Sequence, residues 1–283
     1  MQTPALLVVF GHGCECAALY GRQPCPLGLS MARHRHLDNA PIQEALFDIQ
    51  FEPGTGGSSP GSAAEFIVNR FAEAPGAAQI ANLWDTLFEV KTTAEHQSPP
   101  RVVPTSDVEG RRIDFPSKGQ VVQLRATGFA FSRLPKYVDW AEACDAALAF
   151  WKAYATQIRP RVIKRVGVRY INALQLPTPV LNIGTYLPVT PDIPSALPQS
   201  VANFFHRLVI PKGHLIAQVT QAAQGITEDQ SHLKVVLDLD VQCACDMPID
   251  DEAGLQQLFG ELRDYKNELF FEFLTDAAIG RYE

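Results

Sequence analysis

No stretch of the 283-residue chain approaches the roughly 20 consecutive apolar residues that a membrane-spanning helix needs, so none is expected. The apolar opening, Pro4 to Phe10, is too short and lacks a basic flank. It runs into Gly11-His12-Gly13 without a cleavage site, which argues against a secretory signal. Cysteine is scarce: six in all, three of them (Cys14, Cys16, Cys25) within the first 25 positions, and no Cys-x-x-Cys. That excludes a disulfide framework and predicts a reducing, cytoplasmic setting. Positive charge is also short, with 24 Lys and Arg against 31 Asp and Glu, a net charge of −7 and a pI near 5.5. Bulk electrostatics therefore disfavour a nucleic-acid partner.

Apolar residues, by contrast, make up 46% of the chain and include 16 Phe, ample for a packed interior. Residues 1–30 show neither strand nor helix periodicity, and ordered patterning begins only after the polar run Arg33-His-Arg-His36. The reading is a leader over 1–37, disordered or mis-assigned, with Met31 as the true start. Two halves follow, 38–160 and 161–283, packed as one globular unit.

In the first half, Ala45, Phe47, Ile49 and Phe51 alternate with Glu44, Asp48, Gln50 and Glu52 as in a half-buried strand. A helix capped by Ser62 comes next, then a run from Ile80 to Val90 that reads as strand at its end, and a proline-rich loop over Gln97–Pro104. Arg111–Phe115 and Gln120–Phe131 form a hairpin about Pro116-Ser-Lys-Gly119. Asp139 and Glu142 make a capping box for a helix with Trp140, Cys144, Ala147, Trp151, Tyr154 and Ile158 on one stripe, stopped by Pro160.

The second half has the same order. A strand over Val162–Leu176 carries Val166, Val168, Tyr170, Asn172 and Leu174 on one face and Arg165 and Arg169 on the other. A short helical turn near Asn182–Leu187 leads to strands over Ala202–Ile210, His214–Ala222 and Leu233–Cys245. A helix capped by Asp250 or Asp251 then shows a stripe of Leu255, Leu258, Leu262, Tyr265 and Leu269. The predicted fold class is α+β: two similar β-α-β-β-β-α halves, each an antiparallel sheet covered by a long amphipathic helix. Joined edge to edge, two such sheets would present a concave polar face or enclose a cavity.

Several segments together resemble a sporadically distributed bacterial family of unknown function, typically 250 to 270 residues long. They are Asn39-Ala-Pro-Ile-Gln-Glu-Ala-Leu-Phe-Asp-Ile-Gln-Phe51, Tyr137 to Trp140, Arg165-Val-Gly-Val-Arg-Tyr-Ile-Asn172, Leu237-Asp-Leu-Asp240 and Lys266-Asn-Glu-Leu-Phe-Phe271. The resemblance spans Met31 to Glu283 and implies no activity. Gly167, inside an otherwise β-branched strand, departs from the pattern.

For a site, the strongest pattern is Arg165 and Arg169 on one strand with Asp238 and Asp240 on another, read as ligand-binding residues. Arginine suits a carboxylate or phosphate through its two-pronged geometry. The plain alternative is an ion-pair ladder that sets strand register, with Glu44, Asp48 and Glu52 nearby. Gly54-Thr-Gly-Gly-Ser-Ser-Pro-Gly61 lies between strand and helix, where amides cradle phosphate, but lacks the Gly-Lys-Ser/Thr ending. His12, Cys14 and Cys16, with His34 and His36, lack a second pair at zinc spacing. Cys243 and Cys245 read as core residues.

Arg159, Arg161, Lys164, Arg165 and Arg169 form the one dense basic stretch, with little aromatic interleaving for nucleic acid. His206, His214 and His232 are scattered, and no catalytic, metal or cofactor motif is assigned. The expectation is a non-catalytic binding or regulatory protein engaging a partner protein or small anionic ligand through the sheet face or a cavity. The alternative is an enzyme acting on a small polar substrate in that cavity.

Overall fold

The computed structural model describes residues 37–91, 101–135, 137, 139–178, 182–189, 194, 196–197 and 203–283, with 84–91 and 101–109 described by backbone alone. Apart from Leu37, the leader reading, with Cys14, Cys16, Cys25, His12, His34 and His36, lies outside the described residues.

Strand β1 (Ile42–Glu52) alternates as its sequence predicts, with Ala45, Phe47, Ile49 and Phe51 buried and Glu44, Asp48 and Glu52 half-buried on the opposite face. Helix α1 (Pro60–Phe71) follows. Its N-cap is Ser59, whose hydroxyl accepts from the amide of Ser62; Ser62 itself lies inside the helix, because Pro60 occupies the first turn, where its missing N–H costs nothing. Strands β2 (Gln79–Lys91), β3 (Arg101–Phe115), β4 (Gln120–Arg125) and β5 (Gly128–Arg133) come next.

The first half therefore has four strands after its helix where three are predicted. The segment Gln120–Phe131 breaks into β4 and β5 at a two-residue turn, Ala126-Thr127, which carries none of the usual turn residues. The Gln97–Pro104 loop reading is also corrected at its end, since β3 already pairs with β2 at Arg101. β3 meets β4 only over Gly110–Phe115, so the β2–β3 hairpin continues beyond the rest of the sheet.

Helix α2 (Trp140–Ile158) opens on Asp139, whose carboxylate accepts from the amide of Glu142 at 2.8 Å, and ends at Arg159, held at φ 50°. Strand β6 (Val162–Pro177) leads through a 3₁₀ turn at Ile183–Thr185 to β7 (Phe205–Lys212), β8 (Leu215–Ile226) and β9 (His232–Met247). Helix α3 (Glu252–Glu272) is capped by Asp251, and the short α4 (Asp276–Ile279) follows.

Among the described residues all nine strands lie in one antiparallel sheet ordered β2-β3-β4-β5-β1-β6-β9-β8-β7. In place of two sheets there is one, because β1 and β6 pair directly from Ile42↔Asn172 to Glu52↔Val162. Helix α2 lies against β5 and β1, α3 against β9 and β6, and α1 against β3, β4 and α2. Over β1 the two long helices come together: the Phe47 ring is 5.1 Å from Trp140 of α2 and 5.5 Å from Phe259 of α3. Among the described residues no helix is long and apolar enough to cross a membrane.

Candidate functional site

The face of the sheet turned away from the helices carries the charged residues singled out above. Arg165 Nη2 donates to Asp48 Oδ2 at 2.8 Å across the β1–β6 pair. Arg169 makes a two-pronged contact with Asp238, 2.9 Å from Nε and 2.7 Å from Nη2. Asp240 stands directly opposite Arg169 in register, yet makes no hydrogen bond or ion pair among the described residues. Burial pushes its carboxyl upward, against the pull of Arg165 and Arg169. Burial likewise raises the Asp48 carboxyl, outweighing its Arg165 partner.

Both arginines are thus committed to carboxylates of the same sheet. Two more members of the basic stretch behave alike, with Arg161 paired to Glu52 and Lys164 to Asp246, while Arg159 forms the C-cap of α2. Each basic residue on β6 meets an acid from β1 or β9, which fixes register and leaves no surplus of positive charge on this face.

The glycine-rich loop turns its backbone to the wrong partner for phosphate. A Cβ at Gly57 would lie 1.9 Å from the carbonyl oxygen of Ile158, and one at Gly54 2.0 Å from that of Arg159. Ser58 N donates to Gln157 O at 2.8 Å. The loop satisfies carbonyls at the C-terminal, partly negative end of α2, where an anion is repelled. Gly57-Ser-Ser-Pro-Gly61 also has Gly-x-Ser-x-Gly spacing. Ser59 there is the α1 cap, with its hydroxyl engaged by Ser62 and no histidine among its partners.

Of the core-facing cysteines, Cys243 is buried and Cys245 half-buried. His214 faces Glu261 at 3.0 Å, while His232 lies between Ser231 and Arg281.

The helix side holds a different kind of site. Where the start of α2, the second half of α3 and the central strands β1 and β6 converge, they line a half-open cavity of about 650 Å³, within the range of small-ligand pockets. Lys266 of α3 lines it and is only 8% exposed. Its Nζ sits 4.0 Å above the centre of the Tyr170 ring and donates to Asn267 Oδ1 at 2.5 Å. Lys266 forms no ion pair among the described residues. Burial above all, then the neighbouring Arg263, pulls its ammonium down to about 7, with Asp264 opposing.

Arg263, one turn earlier on α3, lines the same space with its guanidinium 5.7 Å from the Trp140 ring. The Tyr137 and Tyr170 hydroxyls lie 3.2 Å apart, and burial raises both phenols. Asn172, 1% exposed, donates to the carbonyls of Leu237 and Tyr170. Asp38 and Asp139 contribute acid at the wall, the latter holding the α2 cap.

Four of the segments that carry the family resemblance supply this lining: residues 39–43, 137 with 139 and 140, 170 with 172, and 266–271. Lys266, Arg263, Asn172 and Tyr137 were not among the candidate site residues. A signal for Lys266 was present: it lies four residues after Leu262 and four before Phe270, inside the apolar stripe of α3, where a lysine is out of pattern. No protein-family model matches the chain, and neither a curated protein nor a solved structure matches it.

Proposed function

We propose that the protein binds a small anionic ligand in the cavity under its helices, the second of the two locations expected from the sequence. The observation that carries this reading is the pair of cations on α3. Buried Lys266 and exposed Arg263 line one half-open, aromatic-walled cavity, and neither has an ion-pair partner among the described residues. A buried cation without a counter-charge is costly. An incoming carboxylate or phosphate offsets that cost, whereas the arginines of the outer sheet face are already neutralised by Asp48 and Asp238.

The architecture in this proposal is two versions of one unit, β1–α2 and β6–α3. From the central pair the order runs outward as β5-β4-β3-β2 on one side and β9-β8-β7 on the other. Each long helix lies against its own half's first and last strands. A cavity at the join is then the natural place for a ligand contacted by both units.

Titration calorimetry of the whole chain with pyruvate, succinate, oxalate and phosphate tests the reading. Saturable binding of at least one, weakened about tenfold by Arg263→Gln, a loss of roughly 1.4 kcal/mol, is the expected result. Binding unaffected by Arg263→Gln but lost in Arg169→Ala would move the site to the sheet face. The enzyme alternative is favoured by one observation, the lowered ammonium of Lys266, since an amine partly neutral near pH 7 acts as base or nucleophile.

A further inference from the structure

We infer that Lys266 captures a small carbonyl acid, of the 2-oxo acid class, as a covalent imine within this cavity; the inference rests on the anion-binding reading above. Three geometric facts carry it. The lysine is held on a regular helix with Leu262 and Phe270 one turn to either side, so its amine is presented to the cavity and not to solvent. Arg263 lies a turn away on the same wall, free of ion pairs among the described residues, and suits the two-pronged binding of a carboxylate. The paired hydroxyls of Tyr137 and Tyr170, 3.2 Å apart, belong to the ring that floors the lysine and to its neighbour, and supply O–H donors for a carbonyl oxygen.

The titratable and charged groups that line the cavity with the amine are Tyr170 from β6, Tyr137 and Asp139 ahead of α2, Asp38 ahead of β1 and Arg263 on its own helix, and Asp264 acts on it electrostatically. The depressed ammonium, about 7, makes the free amine available at neutral pH, as catalytic lysines require.

The step balances without an oxidant or reductant. The Nζ lone pair attacks the carbonyl carbon, a C–N bond forms, and the C=O π electrons pass to oxygen, which takes a proton from a tyrosine hydroxyl. Nitrogen gives up a proton, returning the hydroxyl to its neutral form. The carbinolamine oxygen then takes a proton from the same tyrosine hydroxyl and leaves as water while nitrogen forms the C=N bond, and the iminium nitrogen returns its proton to the tyrosinate. Amine and carbonyl yield imine and water.

The test is reductive trapping. Full-length protein at pH 7 is incubated with pyruvate and cyanoborohydride, digested with trypsin, and mapped by mass spectrometry. The expected product is one reduced pyruvate adduct on Lys266, seen as a missed cleavage joining residues 264–281. Its yield should exceed that on Lys152, whose side chain is 70% exposed and paired to Glu252 outside the cavity, by about tenfold or more.

Equal or greater labelling of Lys152 overturns the inference. Calorimetry with pyruvate separates the two claims: saturable binding without adduct overturns the imine alone, whereas no binding and no adduct overturns both. Lys266→Arg should lose the adduct. If that variant does not fold, the contrast between Lys266 and Lys152 in the native protein still decides.

Discussion

The two faces of the central strand pair handle charge in opposite ways. On the outer face, Arg165 and Arg169 are half-exposed, and each finds an aspartate on an adjacent strand. On the inner face, Lys266 and Arg263 sit over aromatic rings with no such partner among the described residues. Water reaches the first pair and screens it, so pairing is cheap to form and worth little. Little water reaches Lys266, so its charge is costly unless a ligand meets it, whereas Arg263 on the same wall is exposed. An unpaired buried cation therefore marks a binding site better than a row of exposed ones.

The largest effect expected on either face comes from an uncharged residue. Phe47→Ala removes the ring that Trp140 and Phe259 close over and should cost about 4 kcal/mol in urea unfolding. Asp48→Asn, the next residue but on the outer face, should cost about 1 kcal/mol. Similar losses at both positions would erase the distinction between the faces.

Lys266→Met comes next. The folded amine titrates near 7 and the unfolded one at its ordinary value, 10.5. The unfolded state thus binds more protons between those values, and wild-type stability gains with rising pH across that window. The penalty for the buried charge is complete below pH 7. Lys266→Met should be more stable than wild type at pH 6, by on the order of a few kcal/mol, with the gap closing towards pH 10. A gap independent of pH in thermal melts would show that the lysine is ordinary.

Smallest is the Arg169–Asp238 pair. A double-mutant cycle to alanine should give a coupling of at most about 1 kcal/mol, reduced further at 1 M salt. A coupling several times larger, or insensitive to salt, would give the outer face the dry character assigned to the inner one.

Much of the fold was legible because its signals are local. The alternation of Glu44 to Glu52, the Asp139 cap of α2 and the stripe from Leu255 to Leu269 each express one periodicity or one cap, and each is seen, although Glu142 gives its carboxylate to Arg133. The errors fall where local chemistry was ambiguous. Ala126-Thr127 turns the chain without glycine, proline or asparagine, and Ser59 rather than Ser62 caps α1. The site was read less well. Arg165 and Arg169 were found as a charged row, but Asp238 and Asp240 do not share them: Asp238 takes Arg169, and Asp48, from 117 residues before Arg165, takes the other. Register between distant strands selects the partner.

By itself the sequence determined the central strands β1 and β6, the two long amphipathic helices and which side of each is apolar, since these follow from side-chain spacing within a dozen residues. Only the tertiary structure decided that β1 and β6 zip the halves into one sheet. It alone brought the chain near residue 40, Tyr137, Tyr170 and Lys266 around a single cavity. Periodicity says which way a side chain points, but which groups then face one another depends on strand pairing and helix placement over the whole chain.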